Sequence, residues 1–369
     1  MNTLGGFLGI SVLTSICHYF FQILVAKYLG QVEFSVFSVR WAELNMILLL
    51  GTWAHYRFAL KESRDQVFRK WIKTGYVFSS LFIAFYFFSL DTKSLILAVI
   101  SISIVHAIIS GKILFMGDFK MLGGFNLLPA VLKVLILIIM HDSLKDSHSI
   151  FLILFFSILT SHLVFLLRPA TQVNNKKDQL SDSGFQSSFI LAFATSFFPL
   201  ADLLWAEYFR DQSIINIIAP LSLVVRTVFF FQLIIAQWWL PKITTQNQAK
   251  PLMRLGMIFF MIAFASLFFS AGLQLIFKLM LGWTDIPSFD LFYLTSLGSG
   301  FMAIHYQSLQ LLVVRGFKNE AWCLLLVVFL SWIILGITML NTQHYLLIIG
   351  VVHALAFLFA QNKTYRKSN

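Results

Sequence analysis

Apolar runs of about twenty residues, each closed by a short polar break, repeat along the whole chain. A helix of that length crosses the ~30 Å hydrocarbon layer of a bilayer. The pattern predicts about twelve spans: Leu4–Leu29, Phe34–Trp53, Ile72–Leu90, Leu95–Phe115, Phe125–Met140, Ile150–Leu167, Phe189–Tyr208, Ile214–Leu240, Leu255–Leu275, Phe289–Val314, Ala321–Leu340 and Tyr345–Ala360. Short spans such as the fifth fit by tilting or by extending past these limits. The longest polar stretch, Arg168 to Gln186 (RPATQVNNKKDQLSDSGFQ), reads as a flexible linker dividing six spans from six. The expected organisation is a six-helix bundle over residues 1–167, a cytoplasmic linker over 168–187, and a second six-helix bundle with a short tail over 188–369.

Charge fixes the orientation. Loops between spans 2–3, 4–5, 6–7, 8–9 and 10–11, with the C-terminal tail, carry nineteen of the 27 Lys and Arg, among them Arg57, Lys61, Arg64, Arg69, Lys70, Lys73, Lys363, Arg366 and Lys367. The opposite loops and the span ends flanking them carry six: Lys27, Arg40, Lys93, Lys145, Arg210 and Lys278. The remaining two, Lys133 and Arg226, fall inside spans. By the positive-inside rule both termini are cytoplasmic, and Trp238, Trp239, Pro241 and Lys242 anchor the eighth span on that side.

Composition narrows the class. The chain of 369 residues is 59% hydrophobic and 12% charged, with a mean hydropathy of +0.82. That is an integral membrane composition. The net charge of +11 then records topology and calls for no nucleic-acid partner. The N-terminus enters an apolar run without a basic leader or a cleavage site, so the first segment reads as a retained helix. Cys17 and Cys323 both lie in apolar helices, which implies neither a disulfide framework nor a thiolate metal site. No phosphate-cradling glycine loop with a following Lys and no nucleophile elbow occurs, so ATP hydrolysis on this chain is not expected and no cofactor is implied.

Two internal echoes keep register across the linker. VAKYLGQVEF after span 1 and WAEYFRDQSI after span 7 share Ala26/Tyr28 and Ala206/Tyr208, while MGDFK and VRGFK align Phe119–Lys120 with Phe317–Lys318. Repeats of six spans have the same orientation and are related by an axis along the membrane normal. Stretches Phe20–Glu43 (FFQILVAKYLGQVEFSVFSVRWAE), Ser110–Leu137, Leu223–Gln232 and Leu240–Ile243, with Asp202, carry a family pattern: Lys27, Leu29–Gly30, Glu33–Phe34 and Phe37–Ser38 match it. Ser35 stands where Gly is usual and Gln31 where Pro is common. Over nearly its whole length the chain resembles the polysaccharide transporter (oligosaccharide flippase, O-antigen translocase-like) branch of the superfamily that also holds multidrug and toxin extruders and the lipid II flippase. The resemblance implies a V-shaped pair of six-helix bundles around a central cavity. It also implies flipping of a polyprenyl-diphosphate-linked oligosaccharide across the bacterial inner membrane, with glycosyltransferases and a glycan polymerase as partners beside membrane lipids.

Such a substrate needs cations for its diphosphate. Arg226, deepest in its span and six residues past Pro220, is the first candidate; the competing reading is an ion pair with Asp202. Lys133 lies past Pro129 in span 5 and either faces the cavity or snorkels to the interface. Arg40 and Glu43, three apart in span 2, either neutralise each other or supply a phosphate donor and a proton site. Asp202 is a second candidate coupling carboxylate. Six histidines in or beside spans, His18, His55, His106, His162, His305 and His353, lack the i, i+4 spacing of a metal pair and read as structural polar contacts. Gly298 and Gly300 suit close helix approach. Two other functions stay open: a cation-coupled multidrug-type exporter of the same fold, which would favour carboxylates over buried cations, and a polytopic glycan polymerase or acyltransferase, which would need either a buried His beside a polar partner or a larger outward loop than the one around Trp283–Asp290.

Overall fold

The computed structural model describes the backbone apart from residues 1, 61–64, 90–91, 116–117, 142–146, 167–184, 211, 246–250, 284–285, 315, 339–340 and 367–369, and side chains apart also from stretches that include 2–8, 56–67, 230–260 and 363–366. Among the described residues all regular structure is helical: α1 (Asn2–Ile47), α2 (Leu49–Leu60), α3 (Asp65–Ser89), α4 (Thr92–Phe115), α5 (Phe119–Ile139), α6 (Ser147–Leu166), α7 (Phe185–Phe197), α8 (Ala201–Phe209), α9 (Gln212–Thr245), α10 (Pro251–Ile276), α11 (Phe289–Val314), α12 (Lys318–Ile337) and α13 (Thr342–Arg366). The protein is an all-α polytopic membrane protein.

Breaks in the helices follow local chemistry. A straight α1 of 46 residues would run about 69 Å, more than twice the hydrocarbon layer. It breaks at Gly30 (φ 75°, ψ 173°), a backbone region open essentially to glycine alone, and so supplies the first two expected spans as two limbs. The second limb continues into α2 through Leu48 N–H to Leu44 O and Thr52 N–H to Leu48 O, both 2.9 Å. The seventh span, expected as one run, is α7 and α8 separated by a 3-10 turn at Phe198–Leu200, where Pro199 lacks the N–H that a continuous helix needs. α10 runs on through a π-helical turn at Phe277–Leu281 and stops at left-handed Gly282. The MGDFK/VRGFK echo falls on helix termini: Asp118 caps α5 by accepting from Met121 N–H at 3.0 Å. After α11, Phe317 N–H reaches Leu312 O (2.8 Å) and Gly316 N–H reaches Val313 O (3.1 Å), with Gly316 at φ 85°, a Schellman closure.

Among the described residues nine helices are long and apolar enough to cross a membrane. The first of these, Gly9–Ile47, contains both limbs of α1, and His148–Leu163 in α6 is a shorter apolar helix. The tenth expected span, α11, is 26 residues long, but Thr295, Ser296, Ser299, His305, Gln307 and Ser308 dilute its hydropathy. It is a helix for a protein interior rather than for lipid.

The chain folds as two compact units: Met1–Leu29 with Glu43–Ser196, and Gly30–Ala42 with Phe197–Asn369. Of the three junctions, those after Leu29 and after Ser196 sit at helix breaks, and the one after Ala42 falls within the second limb of α1. Most of the expected linker, residues 168–184, lies outside the described residues. In the first unit α4 is central and packs against α2, α3, α5 and α6. Its core joins Val105, Ile109, Ile113, Leu122 and Phe125, flanked by Phe68, Ile72, Tyr76 and Met121. In the second unit α11 is central and packs against α9, α10, α12 and α13. There Gly298 and Gly350 bring α11 and α13 together, with a Cβ on Gly350 only 3.4 Å from Gly298 Cα.

Candidate functional site

Polar groups inside membrane helices either find partners on neighbouring helices or mark a path for polar cargo. The two units differ in how they hold theirs.

In the second unit Arg226 is 7% exposed on α9, one turn past Ser222, and its Nη2 donates to Ser222 Oγ at 2.9 Å. The Ser222 hydroxyl in turn donates to Ala219 O at 2.7 Å, beside Pro220. Asp202, 3% exposed in the first turn of α8, accepts from Tyr345 Oη on α13 at 3.1 Å. The two residues expected as alternative ion-pair partners therefore each have a neutral hydrogen-bond partner. Around Asp202 the packing is aromatic: Trp205 stacks on Tyr345 (4.0 Å, 14°), Arg210 lies 4.3 Å over Trp205, and Trp332 Nε1 donates to Ala201 O at 2.8 Å. These contacts place the Asp202 carboxyl at the α8–α13 seam immediately after the 3-10 break. Further along α13, His353 Nδ1 meets His305 Nδ1 of α11 at 3.0 Å, with Phe198 of the 3-10 turn against both rings. Gln361 Nε2 then donates to Ser308 Oγ at 3.3 Å. Tyr345, His353 and Gln361 thus supply three polar anchors along α13, the first toward α8 and the other two toward α11.

The first unit holds Lys133, 5% exposed on α5. Its Nζ contacts His18 Nδ1 on α1 and lies 4.6 Å over the Phe21 ring. Lys133 is thus buried against the first limb of α1. A second polar chain crosses four helices: Tyr76 Oη to His162 Nδ1 at 3.0 Å, His162 Nε2 to His106 Nδ1 at 3.2 Å, and His106 Nε2 to Asn126 Oδ1 at 3.2 Å. Phe125 stacks on His106 at 4.2 Å. A single direction of donation is consistent along the chain, from the Tyr76 hydroxyl to the Asn126 carbonyl. His55 Nδ1 meets Ala107 O and Ser110 Oγ at 3.3 and 3.2 Å.

Arg40 and Glu43 are both exposed on the second limb of α1; Arg40 groups with the second unit and Glu43 with the first. The side chains of the expected anchor Trp238–Lys242, and of the tail cations Lys363, Arg366 and Lys367, lie outside the described residues. No group of three or more His, Cys, Asp or Glu able to hold a metal ion occurs among the described residues. Sequence spacing missed the partners that matter most, His18 for Lys133 and Tyr345 for Asp202. In each case the two residues come from helices far apart in the chain, where no local period connects them.

No protein-family model and no curated protein matches the chain. Solved structures do. Over 95% of this chain and 94% of the other, the fold is similar to that titled "Inward-facing conformation of a multidrug resistance MATE family transporter of the MOP superfamily" (TM-score 0.59, 10% identity). It is also similar to the MATE multidrug transporter DinF-BH in complex with R6G (TM-score 0.53, 16% identity, 100% and 94% coverage). Likeness along the full length of both chains at such low identity is likeness of architecture: this chain has the fold of the MATE transporters of the MOP superfamily.

Proposed function

We propose that the protein is a flippase, carrying a polyprenyl-diphosphate-linked oligosaccharide across the bacterial inner membrane by alternating access, with both termini cytoplasmic. The observation that carries this reading is that each unit buries a cation against a neutral partner, Arg226 on Ser222 and Lys133 on His18. Placing a cation in the hydrocarbon layer costs about 2.5–3.5 kcal/mol even on the lenient insertion scale. A phosphate-bearing cargo gives such groups a use, through charge-assisted hydrogen bonds stronger than neutral ones. Arg40, exposed on α1, is a third phosphate donor in this reading, and Asp202 and Glu43 are the candidate coupling carboxylates. Glycosyltransferases would supply the lipid-linked repeat unit and a polymerase would consume it.

The test is glycan export in a strain deleted for the gene and complemented with wild type, Arg226→Ala or Arg226→Lys. Wild type restores surface polysaccharide; Arg226→Ala, at equal protein level, lowers export at least tenfold and leaves lipid-linked units on the cytoplasmic side. Full export by Arg226→Ala would remove Arg226 from the path. Repeat units that reach the outer leaflet of the deletion strain but stay unpolymerised would point to a polymerase.

A second reading, export of organic cations, draws on the likeness to multidrug MATE structures and on the buried carboxyl of Asp202. It expects cells to accumulate a fluorescent organic cation when the gene is deleted and to clear it through wild type but not Asp202→Asn. The flippase reading expects no difference in dye content.

A further inference from the structure

The first limb of α1 is an apolar helix with two chemically different sides. Ser11, Thr14, Ser15, His18 and Gln22 recur at intervals of three and four, so at 100° per residue they share an arc of about 100°. His18 is exposed and the other four are half-buried. Leu13, Ile16 and Phe20, exposed by 46%, 56% and 37%, fall on the opposite side of the helix. Lipid accounts for the second side and not for the first, because a polar stripe at membrane depth belongs against protein or water.

Behind that stripe sits a cation. α5 runs parallel to α1, touching it at Gly123, where a Cβ would stand 3.0 Å from Ile10 Cγ2, and again where Lys133 meets His18. The Lys133 ammonium has only protons to give, so His18 Nδ1 accepts and the imidazole proton stays on Nε2, available to a group outside the pair. No Asp or Glu occurs in α1 before Glu33, nor within α5 between Phe119 and Ile139. Neither helix therefore supplies a carboxylate there to neutralise the Lys133 ammonium. Thr14 and Ser15 donate to their own helix carbonyls, Ile10 O at 2.8 Å and Ser11 O at 3.0 Å, which leaves their oxygen lone pairs as acceptors for hydroxyl groups.

We propose that this stripe is the polar wall along which the phosphorylated glycan headgroup travels: Ser11, Thr14, Ser15 and Gln22 accept hydrogen bonds from sugar hydroxyls, and His18, polarised by Lys133 behind it, donates to a phosphate oxygen. The occupant rests on the flippase reading; the existence of a water-filled wall does not. His18 is the contacting residue and Lys133 the positioning one.

The experiment separates these layers. In a Cys17→Ser, Cys323→Ser background, single cysteines at Ser11, Ser15, His18 and Gln22 are compared with cysteines at Leu13, Ile16 and Phe20 in membrane vesicles. A membrane-impermeant methanethiosulfonate is the label. The polar positions are expected to label at least tenfold faster than the apolar ones. Equal labelling of the two sides, or none at the polar positions, overturns the wall. Inorganic pyrophosphate as a probe is expected to slow labelling at Ser15→Cys severalfold, and Lys133→Gln or His18→Phe to abolish that protection while leaving the labelling pattern. Protection that survives both substitutions, or is absent from the start, overturns the phosphate assignment. If the labelling and protection hold while wild type fails to restore glycan export, the flippase reading falls and the anion-binding wall stands.

Discussion

Two glycines on one helix seam make opposite predictions. Gly111 of α4 faces α2 so closely that an added Cβ would stand 2.5 Å from His55 O, 3.0 Å from His55 Cα and 3.1 Å from His55 C. Ordinary contact starts near 3.4 Å, so the helices must part by about 0.9 Å, and the obstacle is backbone that no rotamer change can move aside. The His55 ring is itself tied to Ala107 O and Ser110 Oγ, which resists the shift. Overpacking of this kind costs about 1–3 kcal/mol, roughly a 5- to 150-fold loss in the folded-to-unfolded ratio. Gly51 of α2 meets the same seam from the other side, but its Cβ would stand 3.4 Å from Ile104 Cα and 3.6 Å from Ala107 Cβ. There alanine fits, and the helix gains about 0.8–1 kcal/mol of propensity. Gly111→Ala is therefore expected to lower the thermal midpoint of the purified protein in lipid nanodiscs, followed by tryptophan fluorescence, and Gly51→Ala to hold or raise it. A Gly111→Ala protein as stable as wild type, or a Gly51→Ala protein less stable than Gly111→Ala, would refute the close approach of α2 and α4.

Gly30→Ala forces a Cβ into a backbone region that costs on the order of 1–3 kcal/mol for other residues, so folded yield on size-exclusion should fall although the site has open space. Tyr345→Phe strips the buried Asp202 carboxyl of its donor and should destabilise by about 1–3 kcal/mol in the same thermal assay. Making Asp202→Asn in addition should cost less than the two single effects summed, because the pair no longer matters. Trp332→Phe keeps the ring packing against Phe197 and Phe209 but loses the bond to Ala201 O; a loss of about 0.5–1.5 kcal/mol is expected, and no loss would remove that bond from the account of the α8–α12 contact.

The helices were legible in the sequence because membrane helices satisfy their own backbone and advertise themselves by length and hydropathy. Breaks were legible only where glycine or proline marked them, and then incompletely. Gly30 lay in the expected corner between the first two spans, whereas Pro199 did not reveal that the seventh span would split into α7, a 3-10 turn and α8. The buried charges Arg226, Lys133 and Asp202 stood out by their cost in an apolar run. Their partners did not, since Ser222 is an ordinary helix serine and Tyr345 lies 143 residues from Asp202. The histidines show the same limit. Taken singly each looked like a polar residue seeking a contact, and no spacing in the chain says that His106 would meet His162 or that His305 would meet His353.

Those contacts divide the intramembrane polar residues by what they leave over. The Tyr76–His162–His106–Asn126 chain passes its hydroxyl and imidazole protons along internally, and Tyr345, His353 and Gln361 tie α13 to α8 and α11. Groups of this sort fix which helix face meets which, a specificity that apolar packing among so many Phe and Leu does not provide by itself. Lys133 is different. An ammonium resting on an imidazole and a benzene ring is stabilised as a cation but not neutralised, and the imidazole between it and the outside is exposed. A purely structural role would be served as well by methionine, which fills the same volume without the insertion cost. Lys133→Met is therefore the informative substitution: stability at or above wild type with export lost places the charge in transport, whereas stability lost with export retained per folded molecule places it in the architecture of the α1–α5 pair.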